Sequence, residues 1–262
     1  MHPMTYEEFL TAKGERQMLD MLCQKQWDVM ASTRSRYIQS LREYYFVGGM
    51  PEAVSKYIAT NDAVMVREIQ KEILRAYDKD ISKHAPVNEA VRKGARAKDF
   101  EIAIQWLLDA GLVYKVERVS KPGMPLRCYA DFSSFKLYML DYGLLGAMND
   151  MPPALLLLPN SMAESKGSFT ENYVCSQLHN IPDLSVFYFS KENSTQKVDF
   201  IIQHGTEIAA IEVKSEENLQ SKSLKAFHGD YPAIRCLRTS LSDYREQEWM
   251  ENIPLYAISS LA

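Results

Sequence analysis

KVDFII (197–202), continued after a turn by IAAIEVKS (208–215), is the stretch of this sequence that decides the fold. Both segments are rich in apolar and β-branched residues and flank His204-Gly205, which predicts a β-hairpin with those two residues as its turn. Alternation distributes apolar residues over both faces, with Ile201 and Ile208 on one face and Val198, Phe200, Ile202, Ile211 and Val213 on the other. A sheet that is apolar on both faces is expected to be covered on both sides.

Charged residues on the same hairpin indicate a functional site. In the predicted register Asp199 lies opposite Ala210, and Glu212 is its diagonal neighbour on the same face, within side-chain reach. Lys214 follows Glu212 by two residues, so the pleat points it in the same direction. Two partly desolvated carboxylates side by side are unfavourable unless a cation or Lys214 compensates them. The pattern is therefore typical of a divalent-metal site.

A third carboxylate, Glu171, is predicted to face the same sheet. It belongs to a helix that is predicted to begin at Glu164, and apolar residues follow it at spacings of three, four and seven, which places it on the apolar face of that helix. A glutamate that faces a sheet needs a partner, and its own helix supplies none. The hairpin site is therefore its expected partner.

Composition limits the classes of function. The chain has 262 residues, of which 46% are hydrophobic, enough for a sizeable core and for two domains. Its formal net charge of -4 provides no overall positive field, so binding to nucleic acid must be local. Four cysteines without a CxxC pair indicate reduced thiols in a cytoplasmic protein and no zinc framework. The longest apolar run, 154–158, is too short to span a bilayer, so no membrane partner is expected.

Helices are predicted for most of the first half of the chain. Thr5 and Glu8 form a capping box at a helix start. Apolar spacing predicts one helix over residues 52–80 and another over 99–109, which ends at Gly111.

Strands are predicted for much of the second half. They cover 112–119, 126–130, 185–190, 197–202, 207–214, 233–238 and a last strand near 255–258. Periodicity does not decide whether 135–148 is strand or helix. With a helix at about 220–228, the order helix, three strands, helix, strand predicts an α/β sandwich.

These residues resemble those of a known superfamily. Glu171, Asp199 and Glu212-x-Lys214, in the order helix, strand, strand, are similar to the signature of the PD-(D/E)xK nucleases. Further motifs resemble the C-terminal region of a large prokaryotic family of AAA-type ATP-binding proteins, in which a P-loop ATPase core precedes a winged-helix part and a nuclease-like part. They are PMTYEEFL (3–10), FVGGMPEAV (46–54), AGLVYKV (110–116), YMLDYGLLG (138–146), GSFTENYV (167–174) and the hairpin itself.

The resemblance implies an α/β (α+β) fold, with an N-terminal helical and winged-helix region followed by a nuclease-like α/β sandwich with a mixed sheet. The expected domains are a helical region over 1–82 that follows an absent ATPase core, a winged-helix-like domain over 83–150, a linker over 151–163 and a nuclease-like domain over 164–262. The chain has no GxxxxGK[ST] loop and no Gly-Lys dipeptide. It therefore resembles a fragment or relic without the ATPase core, and ATP is expected to bind only to a full-length form that has this core.

The resemblance also implies a chemistry. Asp199 and Glu212 would bind Mg²⁺ or Mn²⁺ with the main-chain carbonyl of Val213 as a third ligand. Lys214 would orient the attacking water or stabilise charge on the phosphate. Glu171 would hold metal-bound water or bind a second ion. These four charged residues are thus the expected catalytic set.

A basic segment and a turn are the expected contacts with DNA or RNA. VRKGARAK (91–98) brings together Arg92, Lys93, Arg96 and Lys98 without an acid, and Lys121 lies in the turn of the predicted wing. An exposed segment of ordinary charge is the alternative interpretation. The leading hypothesis for function is a nuclease-like domain that binds a divalent metal and binds or cleaves nucleic acid. The alternative is a catalytically inactive interaction module that is coupled to an ATPase core, and whether the protein forms an oligomer is left open.

Overall fold

The computed structural model describes residues 3–84, 97–152, 166–191, 196–215 and 221–261. Helices surround an eight-stranded mixed sheet with the strand order β2-β1-β3-β4-β5-β6-β8-β7. The predicted α/β class with a mixed sheet is confirmed at this level of description.

The first part of the chain is helical. Its helices are α1 (Tyr6–Ala12), α2 (Arg16–Cys23), α3 (Trp27–Ser32), α4 (Arg34–Val47), α5 (Pro51–Thr60), α6 (Ala63–His84) and α7 (Ala97–Asp109). The capping box that starts α1 is confirmed, since the Thr5 hydroxyl accepts from the Glu8 N–H and the Glu8 carboxylate accepts from the Thr5 N–H. The single helix predicted over 52–80 is wrong, because Asn61 adopts a left-handed conformation (φ 51°) that ends α5.

The described part of the remainder contains the sheet and three further α-helices. The strands are β1 (Val113–Val119), β2 (Ala130–Met139), β3 (Leu184–Ser190), β4 (Lys197–His204), β5 (Glu207–Val213), β6 (Arg235–Ser240), β7 (Arg245–Glu246) and β8 (Glu251–Pro254). The helices are α8 (Tyr142–Met148), α9 (Lys166–His179) and α10 (Lys222–Asp230). The undecided segment 135–148 is therefore strand as far as Met139 and helix from Tyr142.

Two predicted strands are 3₁₀ helices instead. Leu126–Tyr129 forms a 3₁₀ turn before β2. Leu126 is fully buried, and its N–H donates to the side-chain oxygen of Gln203 at 2.8 Å rather than to the backbone of a strand. The last strand ends at Pro254, and Leu255–Leu261 continues as 3₁₀ helix. Residues 255–258 are all buried, and a fully buried apolar run does not distinguish helix from strand.

One sheet includes strands from both sides of the predicted linker 151–163. β1 pairs with β2 antiparallel and with β3 parallel, through Arg118↔Tyr188 and Val119↔Phe189. The β1–β2 hairpin, which was assigned to the winged-helix region, therefore extends the sheet of the predicted nuclease-like region. The domain boundaries themselves remain a prediction.

The β4–β5 hairpin has a register two residues away from the predicted one. Ile201 pairs with Ala210 and His204 with Glu207, so the turn consists of Gly205 and Thr206 rather than His204 and Gly205. Gly205 has φ 57°, the left-handed conformation that the first turn position of such a hairpin favours.

Apolar side chains cover both faces of the hairpin, as predicted. On one face Phe200, Ile202 and Ile211 pack in a core cluster with residues of α9, such as Val174 and Leu178. On the other face Val198, Ile201 and Ala210 pack with Leu224 and Phe227 of α10. The predicted place of Val198 on the face of Phe200 is wrong, because the pairing with β3 is irregular between Phe187 and Phe189. The predicted burial of the sheet on both sides is confirmed.

A buried carboxylate connects two of the quoted motifs, FVGGMPEAV and YMLDYGLLG. Asp141, only 2% exposed, caps α8 by accepting from the Leu144 N–H at 2.8 Å and also accepts from the Gly49 N–H at 2.6 Å. A Cβ atom on Gly48 would overlap the Asp141 carboxylate, and one on Gly49 would overlap the backbone of Met4. These glycines therefore serve close packing, and they hold the α4–α5 corner against the end of β2.

Candidate active site

A β-bulge in β4 shapes the centre of the site. Phe187 pairs with Ile201 and Phe189 with Val198, so Asp199 and Phe200 together lie opposite the single residue Tyr188. Strict alternation ends at such a bulge. The bulge therefore breaks the regular alternation from which Asp199 and Glu212 were predicted to share one face of the hairpin.

The Asp199 carboxylate lies where the β4–β5 ladder ends. The ladder ends at the pair Phe200 and Ile211, and beyond it the Val213 N–H donates to Asp199 Oδ2 at 2.8 Å. Burial, followed by the charge of Glu171, raises the pKa of Asp199 to about 6, whereas the Val213 hydrogen bond and Lys136 lower it. Asp199 is therefore a carboxyl group that can change its protonation state near neutral pH.

Glu212 approaches this position from the α10 side of the sheet. Its neighbours Ile211 and Val213 pack in the α9-side cluster, so alternation directs Glu212 to the opposite face. The residue is 7% exposed, its Oε1 accepts a 3.0 Å ion pair from Lys214 Nζ, and its buried Oε2 has no hydrogen-bond partner among the described residues. Arg238 stands next to Glu212 in the backbone register of β5 and β6, and burial lowers the pKa of Arg238, which the Glu212 charge partly offsets. A buried carboxylate oxygen without a donor is costly unless a cation reaches it.

Glu171 approaches from the α9 side and is held by residues that the sequence did not indicate. Lys136 Nζ lies 3.1 Å from its Oε2, and the Tyr138 hydroxyl donates to the same oxygen at 3.0 Å. Both residues belong to β2, so its partner is not the β4–β5 hairpin as predicted. Burial and then the Glu171 charge raise the pKa of Tyr138 above its usual value, which keeps the hydroxyl protonated as a donor.

Three carboxylates thus lie around the start of β4, together with two lysines. Glu171 and Glu212 both act on the charge of Asp199, and Glu171 has the larger effect. Lys136 and Lys214 each pair with one of the glutamates. The arrangement offers oxygen ligands of the kind that Mg²⁺ and Mn²⁺ bind.

The fit to a divalent ion depends on a small ligand set. Within residues 3–84, 97–152, 166–191, 196–215 and 221–261, no group of three or more Asp, Glu, His or Cys side chains is placed to hold one ion. Asp199 and Glu212 are two side chains, so the predicted set requires main-chain oxygen such as the Val213 carbonyl. Glu212 Oε2 fits this set, because no described donor reaches it and it remains available to an ion, while Oε1 pairs with Lys214.

The predicted nucleic-acid contacts are placed only in part. Arg92, Lys93 and Arg96 lie outside the described residues, and for Lys98 only the backbone is described, near the start of α7. Lys121 is exposed in the connection between β1 and β2, where its carbonyl accepts from the Gly123 N–H at 2.9 Å. This backbone hydrogen bond is that of an ordinary turn.

Two further observations concern the cysteines and the helices. All four cysteines are free, with Cys23 and Cys128 exposed and Cys175 and Cys236 buried. Among the described helices, none combines the length and the apolar character needed to cross a bilayer.

Comparison with known proteins identifies two uncharacterised regions. A family model for a domain of unknown function (DUF4143) matches residues 166–258, and a second domain of unknown function (DUF8612) matches residues 38–93 and 88–155. The first region contains Glu171, Asp199, Glu212 and Lys214, and the second contains Lys136 and Tyr138. No curated protein and no solved structure matches the chain.

Proposed function

We propose that this chain carries a PD-(D/E)xK nuclease-like domain that binds a divalent cation at Asp199 and Glu212 and acts on the phosphodiester backbone of nucleic acid. The observation that carries the proposal is the Glu212 carboxylate, which is more than nine-tenths buried and has one oxygen without a donor among the described residues. The Asp199 carboxylate, at the bulge in the adjoining strand, is a second negative charge that interacts electrostatically with Glu212.

The order of helices and strands supports the nuclease-like part of the proposal. From α9 to β6 the chain runs helix, three antiparallel strands, helix and a parallel strand. α9 and α10 cover opposite faces of these strands. This is the order that the resemblance to the nuclease superfamily implies, with the acidic residues on α9, β4 and β5.

Each residue has a distinct role in the proposal. Asp199, Glu212 and the Val213 carbonyl bind the ion, which supplies electrophilic stabilisation of a phosphate oxygen. The Val213 N–H orients the Asp199 carboxylate through its 2.8 Å hydrogen bond. Lys214 holds Glu212 at 3.0 Å and carries the positive charge that faces developing negative charge on the phosphate. Asp199 acts in its ionised form, so metal binding is expected to weaken as the pH falls below about 6.

We also propose that the chain works with an ATPase core, as the C-terminal part of an AAA-type ATP-binding protein whose middle region is winged-helix-like. FVGGMPEAV packs against YMLDYGLLG through Gly49 and Asp141. The two motifs that resemble the ATP-binding family therefore contact each other in the fold. The helix α7 followed by the β1–β2 hairpin has the element order of the second half of a winged helix. The reading frame upstream of Met1 tests the proposal: a P-loop in that frame supports it.

Titration with Mn²⁺ and a cleavage assay test the site together. Wild type, Asp199→Ala and the control Asp150→Ala are titrated calorimetrically with Mn²⁺ and then incubated with single- and double-stranded DNA and RNA. Asp150 is a suitable control because its carboxylate is exposed and pairs with Lys71, at 3.1 Å, outside the acidic cluster. Binding and cleavage that disappear in Asp199→Ala and persist in Asp150→Ala support the proposal, whereas a wild type that binds no Mn²⁺ contradicts it.

One observation favours the alternative, a catalytically inactive interaction module. Lys136 pairs with Glu171 and Lys214 pairs with Glu212, so the chain partly neutralises its own carboxylates without an ion. If Mn²⁺ binds but no nucleic acid is cut or bound, the nuclease-like domain retains a metal site without catalysis. If Mn²⁺ does not bind either, the interaction module is the remaining function.

A further inference from the structure

Lys136 reaches the site from a strand outside the nuclease-like unit. It lies in β2, which precedes α9 in the chain and is joined to β3 only through β1. Its Nζ is 3.1 Å from Glu171 Oε2 and 5.3 Å from the ring centroid of Tyr188, the residue opposite the bulge that contains Asp199. The ammonium group is thus held by a carboxylate and by an aromatic face at the edge of the acidic cluster.

Glu171 is held through one of its two carboxylate oxygens. Lys136 and Tyr138 both donate to Oε2. A glutamate in this place could instead bind a second divalent ion beside the first, since paired ions in phosphodiesterases stand about 4 Å apart. The ammonium group already occupies that side of the carboxylate.

The local charge also disfavours a second ion. The three carboxylates Glu171, Asp199 and Glu212 are accompanied by Lys136 and Lys214 and by the buried Arg238 beside Glu212, so one divalent ion is enough to make the cluster net positive. A second ion at Glu171 would have to approach Lys136 closely, where like charges repel strongly in a partly buried setting.

We propose that Lys136 is a positioning residue that takes the place of a second divalent ion at Glu171, so that the site binds one ion and not two. The inference rests on the proposed function, because it presupposes the ion at Asp199 and Glu212. It assigns Glu171 the role of an orienting carboxylate whose charge is balanced from within the chain.

The stoichiometry of Mn²⁺ binding tests the inference in the full chain. Wild type is expected to bind one Mn²⁺ per chain and Lys136→Met two, with the second ion giving the broadened electron paramagnetic resonance spectrum of two neighbouring Mn²⁺ ions. Lys136→Arg keeps the charge and is expected to bind one. Thermal unfolding shows whether each variant is folded, and Lys136→Gln replaces Lys136→Met if the latter does not fold.

Lys115→Met is a matched control in the same hairpin. Lys115 pairs with Glu117 at 3.2 Å and packs over the Phe135 ring at 4.9 Å, and it stands opposite Leu137 rather than beside the acidic cluster. It is expected to bind one Mn²⁺ like wild type. One ion in both wild type and Lys136→Met, or a second ion without spectral broadening, overturns the inference but leaves the proposed function standing. No ion in wild type contradicts the proposed function itself.

Discussion

Replacing Asp199 by Asn is expected to stabilise the fold at neutral pH. Burial and Glu171 raise the pKa of this carboxyl from 3.8 to about 6. At about 1.4 kcal/mol for each pH unit, holding the ionised group in the folded protein costs up to about 3 kcal/mol above pH 6. Asn carries no charge, and its Oδ1 can still accept from the Val213 N–H. We therefore expect a gain of about 1–3 kcal/mol at pH 7.5.

The sign of the pH dependence separates this cause from general packing effects. Because the pKa of Asp199 is higher in the folded than in the unfolded state, the free energy of unfolding of wild type falls as pH rises from about 4 to above 6. Asp199→Asn lacks this contribution, so its advantage is small at pH 4.5 and full at pH 7.5.

Thermal or denaturant unfolding at both pH values measures the difference. A gain of 1–3 kcal/mol corresponds to a rise of about 2–10 °C in melting temperature for a chain of this size. Asp150→Asn, at an exposed carboxylate, is the control and is expected to change little at either pH. An Asp199→Asn variant that is less stable than wild type at pH 7.5, or equally favoured at both pH values, refutes the reasoning.

Three further predictions concern the site and its supports. Mn²⁺ affinity is expected to rise with pH through the pKa of Asp199, about 6, because the ion competes with the proton; calorimetry between pH 5 and 8 that shows a constant affinity would contradict this. Gly49→Ala is expected to destabilise the protein by about 3 kcal/mol, since its Cβ overlaps the Met4 backbone, whereas Gly167→Ala, with open space around it, is the neutral control in the same unfolding assay. Asp141→Ala is expected to cost about 2 kcal/mol or more, because it leaves the buried Gly49 and Leu144 N–H groups without an acceptor; a loss below 0.5 kcal/mol by denaturant unfolding would contradict it.

Local patterns predicted a large part of the fold. The Thr5–Glu8 capping box, the two-sided burial of the hairpin and the order of elements from α9 to β6 all follow from short-range spacing and from apolar residues. Such features depend on neighbours in the chain, which a single sequence displays directly.

Features that depend on pairing between distant strands were predicted less well. His204-Gly205 and Gly205-Thr206 are both acceptable hairpin turns, so the register was two residues off. The bulge at Asp199 arises from pairing with β3 and interrupts an alternation that the sequence presents as regular. Lys136 and Tyr138 were missed because residues 135–148 could be strand or helix, and nothing local places β2 near α9.

The connection of β1 to β3 has a consequence for cutting the protein into parts. A fragment that begins near residue 164 would lose β1 and β2, and the backbone N–H and C=O groups of β3 that now meet Arg118 and Val119 would become a free edge. Exposed edges of this kind recruit strands from other molecules. Such fragments would be prone to aggregate, and soluble truncations should retain the chain from β1 onwards.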